Sequence, residues 1–156
     1  SINLSIFDLD NDVGTMLSDA AEKYGIKPSQ VVLEILEDDD IKTHLEAIME
    51  LKALGYKIAI DDFGSGYSNF ARLAKLRPEY LKIDGTLITP LEYDADAYDT
   101  LITIINYANS IKAKTIAEFV SNEKIASLVK RAGMDYAQGF HFGKPVDQVN
   151  AKQIPE

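Results

Sequence analysis

Short apolar, β-branched runs alternate strictly with longer stretches of helical periodicity along this chain. That alternation limits the folds open to it more than any other feature. The runs Ile2–Ile6, Val31–Leu36, Lys57–Asp61, Tyr80–Asp84, Lys114–Glu118 and Asp135–Gln138 read as strands. Between them, Asp12–Gly25, Asp39–Gly55, Ser68–Leu76, Asp96–Lys112 and Ser121–Gly133 read as helices. Leu101, Ile104, Ile105 and Ala108 share one stripe of the fourth helix, and Ser121 and Gly133 are a start and a stop signal for the fifth. Strict β/α alternation predicts a parallel sheet with helices packed outside it. The strands recur about every 25 residues, the size of a β/α unit, and no linker interrupts them, so one domain is expected. Two architectures fit: an open doubly wound sheet, or a (β/α) barrel, which normally has eight units and about 250 residues. With 156 residues and six strand candidates, the chain falls short of a complete barrel.

Composition narrows the function classes. The chain is 46% hydrophobic and 26% charged, as for an ordinary globular domain, and its net charge is −9. That charge disfavours sequence-independent binding to DNA, which needs Lys and Arg to neutralise phosphates. A small anion remains an eligible ligand if a metal or a local cluster inverts the charge. There is no Cys, hence no disulfide framework and no thiolate metal site. No apolar run approaches the roughly 18 residues of a membrane span, and "SINLSIFDLD" lacks the basic and apolar parts of a signal peptide. A cytoplasmic setting is expected, with no direct membrane insertion.

Each strand carries a polar group near its C-terminal end: Asn3, Glu34 with Glu37, Asp61 with Asp62, Lys82 with Asp84, Glu118, and Gln138. In parallel β/α folds that end is where ligands bind. Taken singly, several have plainer readings. Asp62 reads equally as a turn residue, Glu37 with Asp38–Asp40 as a solvated helix start, and Lys82 as a snorkelling side chain. Glu34 and Glu118 are harder to dismiss, because each sits among apolar residues of a strand expected to be buried on both faces. A lone buried carboxylate costs several kcal/mol or takes up a proton. Oxygen ligands on neighbouring strand ends, without sulfur or histidine, suit Mg²⁺, Mn²⁺ or Ca²⁺. Divalent ions would let Asp61 and Asp62 stand side by side, and two of them would point to in-line attack on phosphorus, with Lys82 positioning or deprotonating the water. Gly64 and Gly66 would let the chain turn sharply beside them.

"INLS", "VVLEILE", "AIDDFGSGYSNFARLAKLRPEYLKIDGTLI", "TIAEFV" and "YAQGFHFGKPV" resemble, in order and spacing, the motifs of EAL-domain cyclic-di-GMP phosphodiesterases. The resemblance runs from Ile2 to about Val146. It implies a modified TIM-type barrel that hydrolyses cyclic di-GMP to linear pGpG with Mg²⁺ or Mn²⁺, Ca²⁺ being inhibitory. It implies that Asn3, Glu34 and Asp61 are metal ligands and that Asp62 holds a second metal or a water. Lys82 would orient the attacking water, Glu118 would be a further metal or water ligand, and Gln138 would support the site. Glu37 would stabilise the loop from Phe63 through Gly64 and Gly66, a segment that in the family links dimerisation to metal binding. Pro145 would form a wall of the guanine pocket.

The chain departs from that pattern in three places. No Glu-Ala-Leu strand is present; "LEAIM" lies in a helix pattern. The chain starts at what resembles the family's third strand, so residues 1–156 would supply the third to eighth β/α units, as a piece of a longer protein. Ser121 stands where the family usually has a second acid, and Phe119 where it usually has Gly. Weakened metal binding and little hydrolysis by this chain alone are therefore expected, as are homodimers or pairing through the open edges at Ile2–Ile6 and Asp135–Gln138. The alternative is a non-catalytic module that binds cyclic di-GMP or a protein partner. A phospho-acceptor receiver domain fits less well: there the acidic pair ends the first strand, whereas here it ends the third.

Overall fold

A computed structural model describes residues 1–5, 9, 12–36, 41–65 and 70–145, with the backbone alone for 41–43. Six strands form one sheet: β1 (Ile2–Asn3), β2 (Val32–Leu36), β3 (Lys57–Phe63), β4 (Tyr80–Ile83), β5 (Lys114–Ala117) and β6 (Tyr136–Ala137). They lie in chain order and every neighbouring pair is parallel. The connections carry α1 (Val13–Tyr24), α2 (Ile41–Ala53), α3 (Phe70–Leu76), α4 (Gly85–Ile88), α5 (Ala95–Ile111) and α6 (Glu123–Ala132). Chain-order neighbours separate a barrel from a doubly wound sheet, whose strand order reverses. Among the described residues β1 and β6 each have one strand neighbour, so the architecture is an incomplete TIM-type barrel.

Gly133 ends its helix as expected, but the start expected at Ser121 lies one residue later. Asn122 caps α6 by accepting a hydrogen bond from Ile125 N, and Gly133 ends it in the left-handed conformation. The α5 stripe of Leu101, Ile104, Ile105 and Ala108 is buried as its spacing predicts. These residues join one buried cluster with the outward side chains of the sheet, among them Leu33, Ile35, Ile58, Ile60, Leu81 and Ile83, all fully buried. Each such side chain contributes about 1.5–3 kcal/mol of transfer free energy.

Only this outer face is fully covered. Along β2, Leu33 and Ile35 are buried, whereas Val32 and Glu34 are half-buried and Leu36 is exposed. The expectation of a strand buried on both faces is corrected for β2, whereas in β3 and β4 the inward-facing Ala59 and Lys82 are buried too. The inner face of a barrel is covered by the barrel's own far wall, and six strands in an open row leave part of it uncovered. Strand limits also differ. The β4 strand stops at Ile83 because Asp84 turns to cap α4, accepting from Thr86 N at 2.9 Å. Burial pushes the Asp84 carboxyl up, but the Thr86 and Gly85 donors outweigh it and hold it below the usual range. Strand β3 does not end at Asp61 but continues to Phe63. Ile6 lies outside the described residues.

Candidate active site

The continuation of β3 is where the site is made. Ile60 pairs with Leu81 and Phe63 with Ile83, so β3 inserts one residue more than β4 between these pairs. Asp62 sits in this bulge with φ 54, in the left-handed region. In a regular strand Asp61 and Asp62 would face opposite sides of the sheet. The extra residue returns Asp62 to the side of its neighbour. One carboxylate oxygen from each of Asp61, Asp62 and Glu118 then lies within 4.8 Å of the others. Asp62 is therefore a strand residue at a bulge, not a turn residue after the strand.

Lys82 stands at the centre. Its Nζ donates to Asp61 Oδ1 at 2.6 Å and to Glu34 Oε2 at 2.9 Å, and lies 3.2 Å from Glu118 Oε1. Burial opposes its charge, but hydrogen bonds to Asp61 and Glu34 and the charge of Glu118 outweigh this and raise its pKa. These partners favour the ammonium form of Lys82. Glu118 is 6% exposed, and burial pushes its carboxyl up to about 7. Lys82 works against that rise, and the charges of Asp61 and Asp62 add to it. Gln138 Nε2 donates to Glu118 Oε1 at 2.5 Å and fixes that carboxylate.

Three carboxylates, Glu34, Asp61 and Glu118, thus gather around one ammonium, and Asp62 adds a fourth beside Asp61 and Glu118. The surplus negative charge and the all-oxygen donors fit a hard divalent cation. Asp61, Asp62 and Glu118 are the residues placed to hold one, and Glu34 is tied to them through Lys82. Asn3 is exposed and level with Glu34 in the register. Gly64, at φ 97, lies against α4, where a Cβ would fall 2.2 Å from Leu87 Cδ1. Phe63 is buried and meets the Phe70 ring edge-on at 5.9 Å. Glu37 and Gly66 lie outside the described residues.

A groove of about 670 Å³ adjoins the cluster, lined by Glu118, Phe119, Gln138, Phe140, Lys144 and Pro145 among others. Pro145 and Gln138 are thus brought to the same place as Glu118. Phe140 and Lys144 escape the sequence reading. The aromatic pair Phe140 and Phe142 around His141, directly after the glycine that follows β6, is the signal that points to them. His141 instead lies 3.2 Å from Glu123 of α6 and lines a separate groove.

Known proteins resemble the chain in sequence and fold. The chain is 36% identical over 140 residues to the cyclic di-GMP phosphodiesterase PdeF of Escherichia coli (strain K12), matching 86% of this chain and 19% of that protein. The solved PaMucR phosphodiesterase in complex with c-di-GMP superposes with a TM-score of 0.84 at 31% identity, over 92% of this chain and 60% of that one. Klebsiella pneumoniae BlrP1, solved with calcium and c-di-GMP, superposes with a TM-score of 0.83 at 26% identity, over 89% of this chain and 36% of that one. The chain therefore spans about a fifth of the curated relative and three fifths of the first solved chain. The family model of the EAL domain matches residues 1–145, nearly the whole sequence. Fold and sequence agree: the chain belongs to the EAL-domain family.

Proposed function

We propose that this chain is the third to eighth β/α units of a cytoplasmic cyclic-di-GMP phosphodiesterase domain that hydrolyses its substrate to linear pGpG with Mg²⁺ or Mn²⁺. The observation that carries the reading is the convergence of Glu34, Asp61 and Glu118 on Lys82 at the C-terminal end of the sheet, with Asp62 beside Asp61 and Glu118. Asn3, Glu34, Asp61, Asp62 and Glu118 would hold the cation. When bound, a divalent cation supplies charge neutralisation at phosphorus and a more acidic water. Lys82, held protonated, orients that water and meets negative charge developing on the phosphoryl oxygens. Glu118 receives a proton from the water as the new O–P bond forms and the P–O3′ bond breaks; O3′ takes a proton from solvent. Gln138 keeps Glu118 in place, Pro145 walls the base, and the Phe63–Gly64 segment holds Asp62 in its bulge.

Incubation of the purified chain with cyclic di-GMP and Mn²⁺, followed by chromatography, tests this. Slow formation of pGpG is expected, abolished by EDTA and by Asp61→Asn; Ca²⁺ should permit binding without turnover. Absence of both binding and turnover, here and in a longer version of the chain, overturns the reading. The second reading, a non-catalytic module that binds cyclic di-GMP or a protein partner, is favoured by one observation: Ser121 offers no carboxylate. It predicts metal-independent nucleotide binding and no pGpG. The edges β1 and β6 are the surfaces through which two copies would pair.

A further inference from the structure

Phe119 occupies a conformation that the folded chain alone does not explain. Its φ is 53, in the left-handed region that residues with a Cβ seldom adopt. A bulky residue held there is usually over-determined by its surroundings. Yet its ring is 62% exposed, although the next residue, Val120, is completely buried. The ring is nonetheless seated on one side. A Cβ added to Gly85, at the start of α4, would fall 2.8 Å from its Cγ and Cδ2, so only glycine leaves room for it. Its remaining surface lines the 670 Å³ groove. In the same groove Phe140 is 68% exposed, and Lys144 Nζ lies 5.9 Å from the centre of the Phe140 ring. The groove is therefore aromatic-walled, carries a cation, and joins the carboxylate cluster through Glu118 and Gln138.

A flat, polarisable ring attached to an anionic group matches this chemistry. We infer that Phe119 is a base-stacking residue: seated on Gly85, it is the platform for one purine base of a dinucleotide whose phosphodiester lies at the carboxylate cluster. The inference rests on the nucleotide reading above and adds the residue that grips the base. Stacking accepts any purine face, so Phe119 strengthens binding without itself selecting guanine over adenine.

The chain contains no tryptophan, so Phe119→Trp installs a single indole in the groove. Titration with cyclic di-GMP in the presence of Ca²⁺, by fluorescence and calorimetry in parallel, tests the inference. Indole quenching that saturates at the calorimetric affinity is expected. Phe119→Gly should bind about tenfold more weakly without a lower thermal midpoint, because glycine adopts φ 53 freely. Phe119→Leu, which keeps bulk but not the flat ring, should show the same loss. Binding without quenching, or unweakened binding by both truncated variants, overturns the inference and leaves the nucleotide reading intact. Failure of the native chain to bind cyclic di-GMP overturns that reading, and the stacking role with it.

Discussion

The two ends of the sheet treat charge in opposite ways. At the N-terminal end each acid has its own cation and a backbone donor. Glu79, just before β4, takes Lys52 at 2.9 Å and the Ile58 N–H at 2.8 Å. Asp135, just before β6, takes Lys114 at 2.6 Å and the Thr115 N–H at 2.9 Å. At the C-terminal end three carboxylates share Lys82, and Asp62 stands beside two of them. The protonation equilibria reflect this contrast. Burial raises the Asp135 carboxyl, but Lys114 and the Thr115 donors more than offset it and hold it below its usual range. Glu118, buried among like charges, rises to about 7. A matched acid ties adjacent strands together, whereas a surplus of acid leaves an unmet demand for a cation. The first is structure and the second is a site.

The sharpest way to break this contrast is Lys82→Met. It leaves the C-terminal acids without a cation and should cost about 3 kcal/mol of stability in EDTA, measured by urea denaturation; an unchanged midpoint would show that the acids do not depend on Lys82. Next in size, Mn²⁺ at about 100 times its Kd should stabilise the native chain by roughly 2.7 kcal/mol. Thermal melts should show that gain lost in Asp61→Asn and kept in Asp135→Asn; equal loss in both would place the cation elsewhere.

The pH dependence of the two ends should run in opposite directions. The folded carboxyl of Glu118 lies above its ordinary value of 4.5, so between 4.5 and about 7 the folded chain binds more protons than the unfolded one. Stability in EDTA should therefore fall as pH rises through that window, by on the order of 2 kcal/mol. Glu118→Gln should flatten the slope. The folded carboxyl of Asp135 is depressed, so its contribution is present above the ordinary aspartate range and lost as pH falls through the folded value. The smallest effect expected is that of Asp135→Asn itself, about 1 kcal/mol near neutral pH, with Mn²⁺ binding untouched in calorimetry.

Much of this was legible in the sequence because it depends on local periodicity. β-branched runs and helical stripes mark the elements, and the polar residue closing each run marks the ligand end of a parallel fold. Two features of the site were not legible. Alternation along a strand assigns Asp61 and Asp62 to opposite faces; the bulge that reunites them comes from the mismatch in register between β3 and β4. Asp84 resembles the other strand-end acids in sequence, yet the start of α4 draws it into a cap and away from the cluster. Glu79 and Asp135 lie before their strands, at the end opposite the ligand, and nothing local distinguishes them from solvated loop acids.

The sequence by itself determined the alternation of strands and helices, the six polar strand ends and the family to which they belong, since each follows from residue type and spacing along the chain. Only the tertiary structure decided that three carboxylates meet on one ammonium, that Asp62 joins its neighbour, and that the Phe119 ring lies open beside them. Those outcomes depend on strand register, on burial, and on which side chains from distant segments come within a few ångströms of each other. None of these is a property of any single stretch of the chain.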